Sequence, residues 1–143
     1  MDGSKSRTDE RLPGLRIVVV DDSRDTARMM QLLLRFQGHE VRLAFAGREA
    51  IELVESFGPD VVLLDLRLPD MSGAEVIQKL RGRQGFETTA FVAVSGYDSD
   101  QIPPIFDGHF VKPVDHDALN EFLSRWARKQ RLGIPGPGFP PPQ

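Results

Sequence analysis

An α/β domain built on one parallel sheet is the fold this chain predicts, and three observations carry that expectation. Short, wholly apolar runs recur along its 143 residues, and segments with apolar residues at helical spacing alternate with them. Four of the runs stop at a charged or hydroxyl-bearing residue: Asp21, Asp65, Ser95 and Lys112. Strands that are apolar at every position, rather than at alternate ones, are buried on both faces, as under the helices of a parallel sheet.

Residues 1–13 are polar and mixed in charge, and Pro13-Gly14 closes them off, which predicts a disordered N-terminal tail. The first strand is the β-branched run Leu15-Arg16-Ile17-Val18-Val19-Val20, ending at Asp21-Asp22-Ser23. A helix is expected over 24–37, with Ala27, Met30, Leu33, Leu34 and Phe36 as its apolar stripe and Gly38 to end it. Val41 to Phe45 alternates as a second, shorter strand, and a helix over 48–57 buries Ala50, Ile51, Leu53, Val54 and Phe57 before Gly58-Pro59 stops it.

The third strand, Asp60 to Asp65, is the most apolar and belongs at the centre. Ser72 and Glu75 then have capping-box spacing for a helix over 73–82 that shows Ala74, Val76, Ile77 and Leu80 inward. Ala90 to Val94 is the fourth strand and Phe110-Val111 a brief fifth. Between them, Pro103 and Pro104 lack backbone donors and push the residues before them out of helical geometry. That predicts an irregular or one-turn connection over 97–108, with Ile102, Ile105 and Phe106 covering the sheet where a helix would otherwise lie. Asp115 opens a last helix with Leu119, Phe122, Leu123 and Trp126 at spacings of three and four. One domain is therefore expected over 14–131, followed by a Pro/Gly-rich tail, 132–143, that can hold neither a helix nor a ladder. Pro137 and Pro140 in that tail fit a P-x-x-P pattern.

Composition excludes several classes. A net charge of −3 without any basic run argues against a nucleic-acid partner. The absence of cysteine removes a disulfide framework and a thiolate zinc site. No stretch approaches the ~18 apolar residues of a membrane span, and the N-terminus lacks the apolar core of a signal peptide, so a cytoplasmic protein is expected.

In a parallel sheet the strand ends bearing Asp21-Asp22, Asp65, Ser95 and Lys112 fall at one edge, so these groups can converge. Carboxylates gathered there call for a hard cation such as Mg²⁺, which takes one or two of them and keeps several waters. The Lys112 ammonium adds positive charge for a phosphate, and the Ser95 hydroxyl can donate to a phosphoryl oxygen. Together they suit transfer of a phosphoryl group onto an aspartate, where positioning and charge neutralisation do most of the catalysis. Singly, each has a plainer reading: Asp21-Asp22-Ser23 as a helix cap, Ser95-Gly96 as a turn, Lys112 as an exposed lysine.

From Leu15 to Arg131 the chain resembles the receiver domains of two-component response regulators, whether chemotaxis-type single-domain regulators or receivers of hybrid kinases. The resemblance rests on Val20-Asp21-Asp22-Ser23, on Leu64-Asp65-Leu66-Arg67-Leu68-Pro69-Asp70-Met71-Ser72-Gly73, on Val94-Ser95-Gly96 and on Val111-Lys112-Pro113-Val114. It implies a doubly wound, flavodoxin-like sheet of order 2-1-3-4-5 with the fourth helix shortened or missing. It further implies that Asp65 takes a phosphoryl group from a phosphohistidine on a histidine kinase or histidine phosphotransfer protein, and that a downstream protein reads the change. Mg²⁺ would be held by Asp22 directly, by Asp21 mostly through water, by Asp65, and by the backbone carbonyl of Arg67. Ser95 stands at the family's switch position, Lys112 at that of its phosphate-pairing lysine, and a cis peptide is expected before Pro113. Such a domain is a phosphoprotein with slow self-dephosphorylation, not an enzyme acting on other substrates.

The chain departs from the family at His109, where a switch aromatic usually sits, and carries large residues, Arg67 and Tyr97, two places beyond Asp65 and Ser95. The segment between Ser95 and Lys112 is also short for the family. Two other readings are compatible with parts of the sequence: a degenerate receiver that binds a partner constitutively, and a haloacid-dehalogenase-type phosphatase. The phosphatase needs a second Asp two residues after a first-strand nucleophile, and Asp21-Asp22-Ser23 fails that spacing.

Overall fold

The computed structural model describes residues 14–83, 85–96, 102 and 104–131. Tyr97 and the expected tails at 1–13 and 132–143 lie outside them. Strands β1 (Arg16–Val20), β2 (Glu40–Ala44), β3 (Val61–Asp65), β4 (Ala90–Ser95) and β5 (Gly108–Val111) alternate with helices α1 (Arg24–Phe36), α2 (Gly47–Phe57), α3 (Gly73–Arg81) and α4 (His116–Arg131). All strand pairs are parallel, in the order β2-β1-β3-β4-β5. The sheet order and the two-faced covering are those expected.

Both central strands are buried at every position, which is why they read as unbroken apolar runs. On one face Ile17, Val19, Val61, Leu63 and Val92 pack beneath α1 and α4, where Trp126 is wholly buried. On the other, Val18, Val20, Val62, Leu64 and Phe91 pack beneath α2 and α3. The helix starts are fixed locally. Ser23 accepts from the Thr26 amide at the head of α1, and Ser72 and Glu75 form a reciprocal capping box at the head of α3. Asp115 accepts from the amides of Asp117 and Ala118 at the head of α4. Gly58 ends α2 in the left-handed region, at φ 65°, which few side chains tolerate.

One expectation is corrected. Leu33 and Phe36 do not join the buried stripe of α1, whose core face is Ala27, Met30 and Leu34 alone. Leu33 is 37% exposed and Phe36 85% exposed. The helix carries apolar residues around much of its circumference, so spacing alone gave the core side too great a width.

Among the described residues, no helix lies between β4 and β5, and the chain turns at Pro104-Ile105. Ile105 and Phe106 pack against the α2–α3 core in its place, and Ile102 is half-buried. The connection is pinned by a pair the sequence reading did not single out. Asp107 accepts from the Phe91 amide at 2.8 Å, and Arg81 donates to Asp107 at 3.4 Å and to the Ile105 carbonyl at 2.9 Å. Burial pushes the Asp107 carboxyl above the usual carboxylate pKa, against the pull of the Phe91 amide and the Arg81 charge. Arg81→Ala should therefore cost about 1–3 kcal/mol by leaving that carboxylate without its cation. Denaturant titration checks this, and an unchanged midpoint would contradict it.

At the opposite end of β1, the Leu15 amide donates to Nδ1 of His39 at 3.0 Å. Burial holds the His39 pKa below 6.5, with nearby Asp60 opposing. Between the lowered folded value and 6.5, the unfolded chain binds the extra proton first, so stability falls as pH drops through that window and is level above it. The slope of unfolding free energy against pH should flatten there in His39→Asn, whose amide oxygen can still accept from Leu15. Identical slopes would refute the assignment. At the β2 edge, side chains of α1 cover exposed backbone: Gln31 and Arg35 both donate to the Val41 carbonyl. The Glu49 carboxylate accepts from the Phe45 amide just beyond. No described helix is long and apolar enough to cross a membrane.

Candidate functional site

Parallel pairing brings the carboxyl ends of β1, β3, β4 and β5 to one edge, and the singled-out residues of those strands meet there. Asp21 and Asp65 are buried, and Asp22 beside them is exposed. A carboxylate oxygen from each lies within 4.8 Å of the other two. Like charges this close, two of them out of solvent, need a cation. Lys112 supplies one, its Nζ donating to Asp21 at 2.9 Å and to Asp65 at 3.1 Å. Burial opposes the Lys112 charge, but these two hydrogen bonds and the carboxylate charges outweigh it and raise its pKa above the usual lysine value. The donor set also suits Mg²⁺, being all oxygen, anionic on three sides and open to water at Asp22.

The carboxylates are held from the backbone too. Asp21 accepts from the Ser23 amide at 2.9 Å, and Asp65 from the Arg67 amide at 3.0 Å. The loop after β3 folds back on itself, with Arg67 bridged to Ser72 and the Gly73 amide donating to the Leu66 carbonyl. A Cβ on Gly73 would stand 2.8 Å from the Asp65 carbonyl, so only glycine lets α3 begin so close under the end of β3. The Arg67 side chain is exposed.

Ser95 is buried at the end of β4, and its Oγ lies 3.5 Å from Nε2 of His109 on β5. The ring at the departing position thus faces the hydroxyl from the neighbouring strand. The Lys112-Pro113 peptide is cis. A cavity of about 570 Å³ opens beside the cluster between α1 and the start of α4, with Asp21, Lys112, Met29, Met30, Pro113 and Val114 in its walls.

One residue at this edge escaped the sequence reading except as part of a motif. Asp70 accepts from the amides of Gly47 and Arg48 at 2.7 and 2.9 Å, tying the loop after β3 to the first turn of α2. Those two amides, Arg48 first, hold its carboxyl below the usual pKa. Its position between Pro69 and the capping Ser72 gives no sign of a partner more than 20 residues away.

Residues 17–124 match the response regulator receiver domain family. The response regulator MprA of Mycobacterium tuberculosis is 41% identical over 114 residues, which are 78% of this chain and 48% of that protein. A CheY-like receiver domain from Methylobacillus flagellatus superposes with a TM-score of 0.73 at 30% identity, over 79% of this chain and 98% of that one. The response regulator TrrA of Thermotoga maritima, solved in complex with Mg²⁺-BeF, superposes with a TM-score of 0.69 at 29% identity, over 78% and 97%. The chain spans 43%, 26% and 54% of the lengths of three of the curated relatives it matches.

Proposed function

The chain belongs to the response regulator receiver domain family, and from that premise we propose that it accepts a phosphoryl group on Asp65 from a phosphohistidine of a histidine kinase or histidine phosphotransfer protein. The observation that carries the reading is the buried Asp65 carboxylate on the central strand, with the Lys112 ammonium at 3.1 Å and Asp21 and Asp22 beside it. An Asp65 oxygen attacks phosphorus in line, a P–O bond forms, the P–N bond to the donor imidazole breaks, and the nitrogen leaves with the bonding pair. The Arg67 amide and Lys112 hold the two carboxylate oxygens and so fix the direction of attack. Lys112 is also near enough to pass from the carboxylate to a phosphoryl oxygen as charge arrives there.

Asp21, Asp22, Asp65 and the Arg67 carbonyl would hold Mg²⁺, which supplies charge neutralisation across the transferring group. Ser95 donates to a phosphoryl oxygen, and His109, within 3.5 Å of its hydroxyl, follows that movement and carries it to β5. Because Pro103 and Pro104 disfavour a helix between β4 and β5, readout is expected through the loops around Asp65 and Ser95 or through α4. Incubation with acetyl phosphate and Mg²⁺, with the adduct located by mass, tests the proposal. Labelling confined to Asp65 and lost in excess chelator supports it, and labelling elsewhere or unaffected by chelator overturns it.

By their family positions, two places beyond Asp65 and Ser95, Arg67 and Tyr97 would hinder attack of water on the acyl phosphate, and a guanidinium can also pair with a phosphoryl oxygen. Alanine at both positions should therefore shorten the lifetime of the phosphorylated form. A variant that keeps its phosphate as long as the wild type would remove them from that role.

A further inference from the structure

We infer that Asp70 is a positioning residue for the metal site: it clamps the tip of the loop after β3 onto the first turn of α2 and thereby aims the Arg67 carbonyl. The inference rests on the reading that this carbonyl holds Mg²⁺ together with Asp21, Asp22 and Asp65. α2 begins without a cap of its own, because its N-cap residue is Ala46, whose methyl group accepts nothing. Glu49 in the first turn is no substitute, since it accepts from the Phe45 amide at 2.8 Å. The amides of Gly47 and Arg48, which have no carbonyl partner within the helix, donate instead to the two oxygens of Asp70 at 2.7 and 2.9 Å. The cap thus comes from a loop 23 residues away, and the positive end of the helix favours its charge.

The loop that makes this contact runs from Leu66 to Ser72. Its base is closed on itself, with Arg67 bridged to Ser72 and the Gly73 amide bonded to the Leu66 carbonyl at 3.1 Å. Its tip has no such closure, and Pro69 there offers no donor. Among the described residues, the hydrogen bonds that tie Leu68 to Met71 to another element are those of Asp70, and Met71 packs over Gly47 beside them. The Arg67 amide is already fixed by its bond to Asp65 at 3.0 Å. The Arg67 carbonyl belongs to the next peptide plane, shared with the Leu68 amide, so its direction follows from where the chain runs after Arg67. Asp70, three residues on, sets that course. With the tip released, the carbonyl can turn away from the cluster while the three carboxylates stay in place. Asp70 is exposed and is not one of the carboxylates that converge there, so it acts through the loop.

Mg²⁺ alone is the probe, titrated into the full chain while the amide resonances of Asp22, Asp65 and Arg67 are followed. Asp70→Ala should raise the Kd about three- to tenfold, less than the ~10–100-fold lost when a group bonded directly to a metal ligand is removed. Asp70→Asn loses the same charge but keeps an oxygen for one amide, and should lie between the wild type and the alanine variant. Adding Ala46→Ser to Asp70→Ala separates the helix from the loop. A serine there stands three residues before Glu49, the spacing of a capping box, and should recover the unfolding midpoint. Mg²⁺ affinity should stay weak in that double variant, and exchange of the Arg67 amide in metal-free protein should stay faster than in the wild type. An unchanged Kd in Asp70→Ala overturns the inference. Equal weakening by alanine and asparagine overturns it in favour of a plain effect of charge, and affinity regained with Ala46→Ser overturns it in favour of helix capping. A wild type whose resonances do not respond to Mg²⁺ overturns the reading of the metal site itself, and the inference with it.

Discussion

Asp65→Asn is expected to abolish covalent labelling by acetyl phosphate while leaving the unfolding midpoint within a few degrees of the wild type. The amide is nearly isosteric and can still accept from the Arg67 amide, so the turn after β3 keeps its anchor. Only the nucleophilic anion goes. Asp21 and Asp22 remain in place but are not alternatives. Asp21 is tied to the Ser23 amide and to Lys112, and Asp22 lies at the open side of the cluster. Undiminished labelling of the variant, measured by intact mass, would remove Asp65 as acceptor. Loss of labelling together with loss of the folded state would leave the substitution uninformative, so circular dichroism accompanies the mass measurement and Asp65→Glu serves as a second variant. A glutamate keeps the charge but moves the oxygens off the Arg67 amide, and labelling should fall steeply without the fold being lost.

Lys112→Met carries the second large effect. Two buried carboxylates share this ammonium at 2.9 and 3.1 Å, and a thioether of similar length fills its space without its charge. Removing one partner from such an arrangement leaves anionic charge out of water and uncompensated, at about 2–4 kcal/mol in the absence of divalent cations. Mg²⁺ should return part of that stability, and should stabilise the variant more than the wild type because it no longer competes with an ammonium. Denaturant titrations with and without the ion test both halves. A variant as stable as the wild type in chelator would show that Lys112 does not neutralise the cluster. Equal gains from Mg²⁺ in the two proteins would show that lysine and ion do not compete.

The sheet and the position of the acidic cluster were both legible in the residues, for one physical reason. Strands buried on both faces have no solvated side to advertise, so Val61 to Leu64 and Phe91 to Val94 read as unbroken apolar runs. The polar residue that ends each run then marks the sheet edge. What failed was anything set by contact across the fold. Leu33 and Phe36 look like core by spacing, and only the packing of α1 against the sheet shows that Ala27, Met30 and Leu34 use up the inward face. Arg81 and Asp107 are 26 residues apart, and neither carries a local signal of the other. Asp70 looks like loop punctuation until α2 is brought to it. His109 stands at the family's switch-aromatic position, and only the pairing of β5 with β4 brings its ring to 3.5 Å from the Ser95 hydroxyl.

The covered edge of β2 has a further consequence, for colloidal behaviour. An open parallel sheet ends in two strands that could each template a neighbour's backbone, the first step toward ordered aggregates. Here Gln31 and Arg35 occupy the Val41 carbonyl and Glu49 the Phe45 amide, while β5, the other border, is only four residues long. Strand-to-strand growth is thereby discouraged at both borders, and concentrated solutions of this domain should associate, where they associate at all, through helices rather than through the sheet.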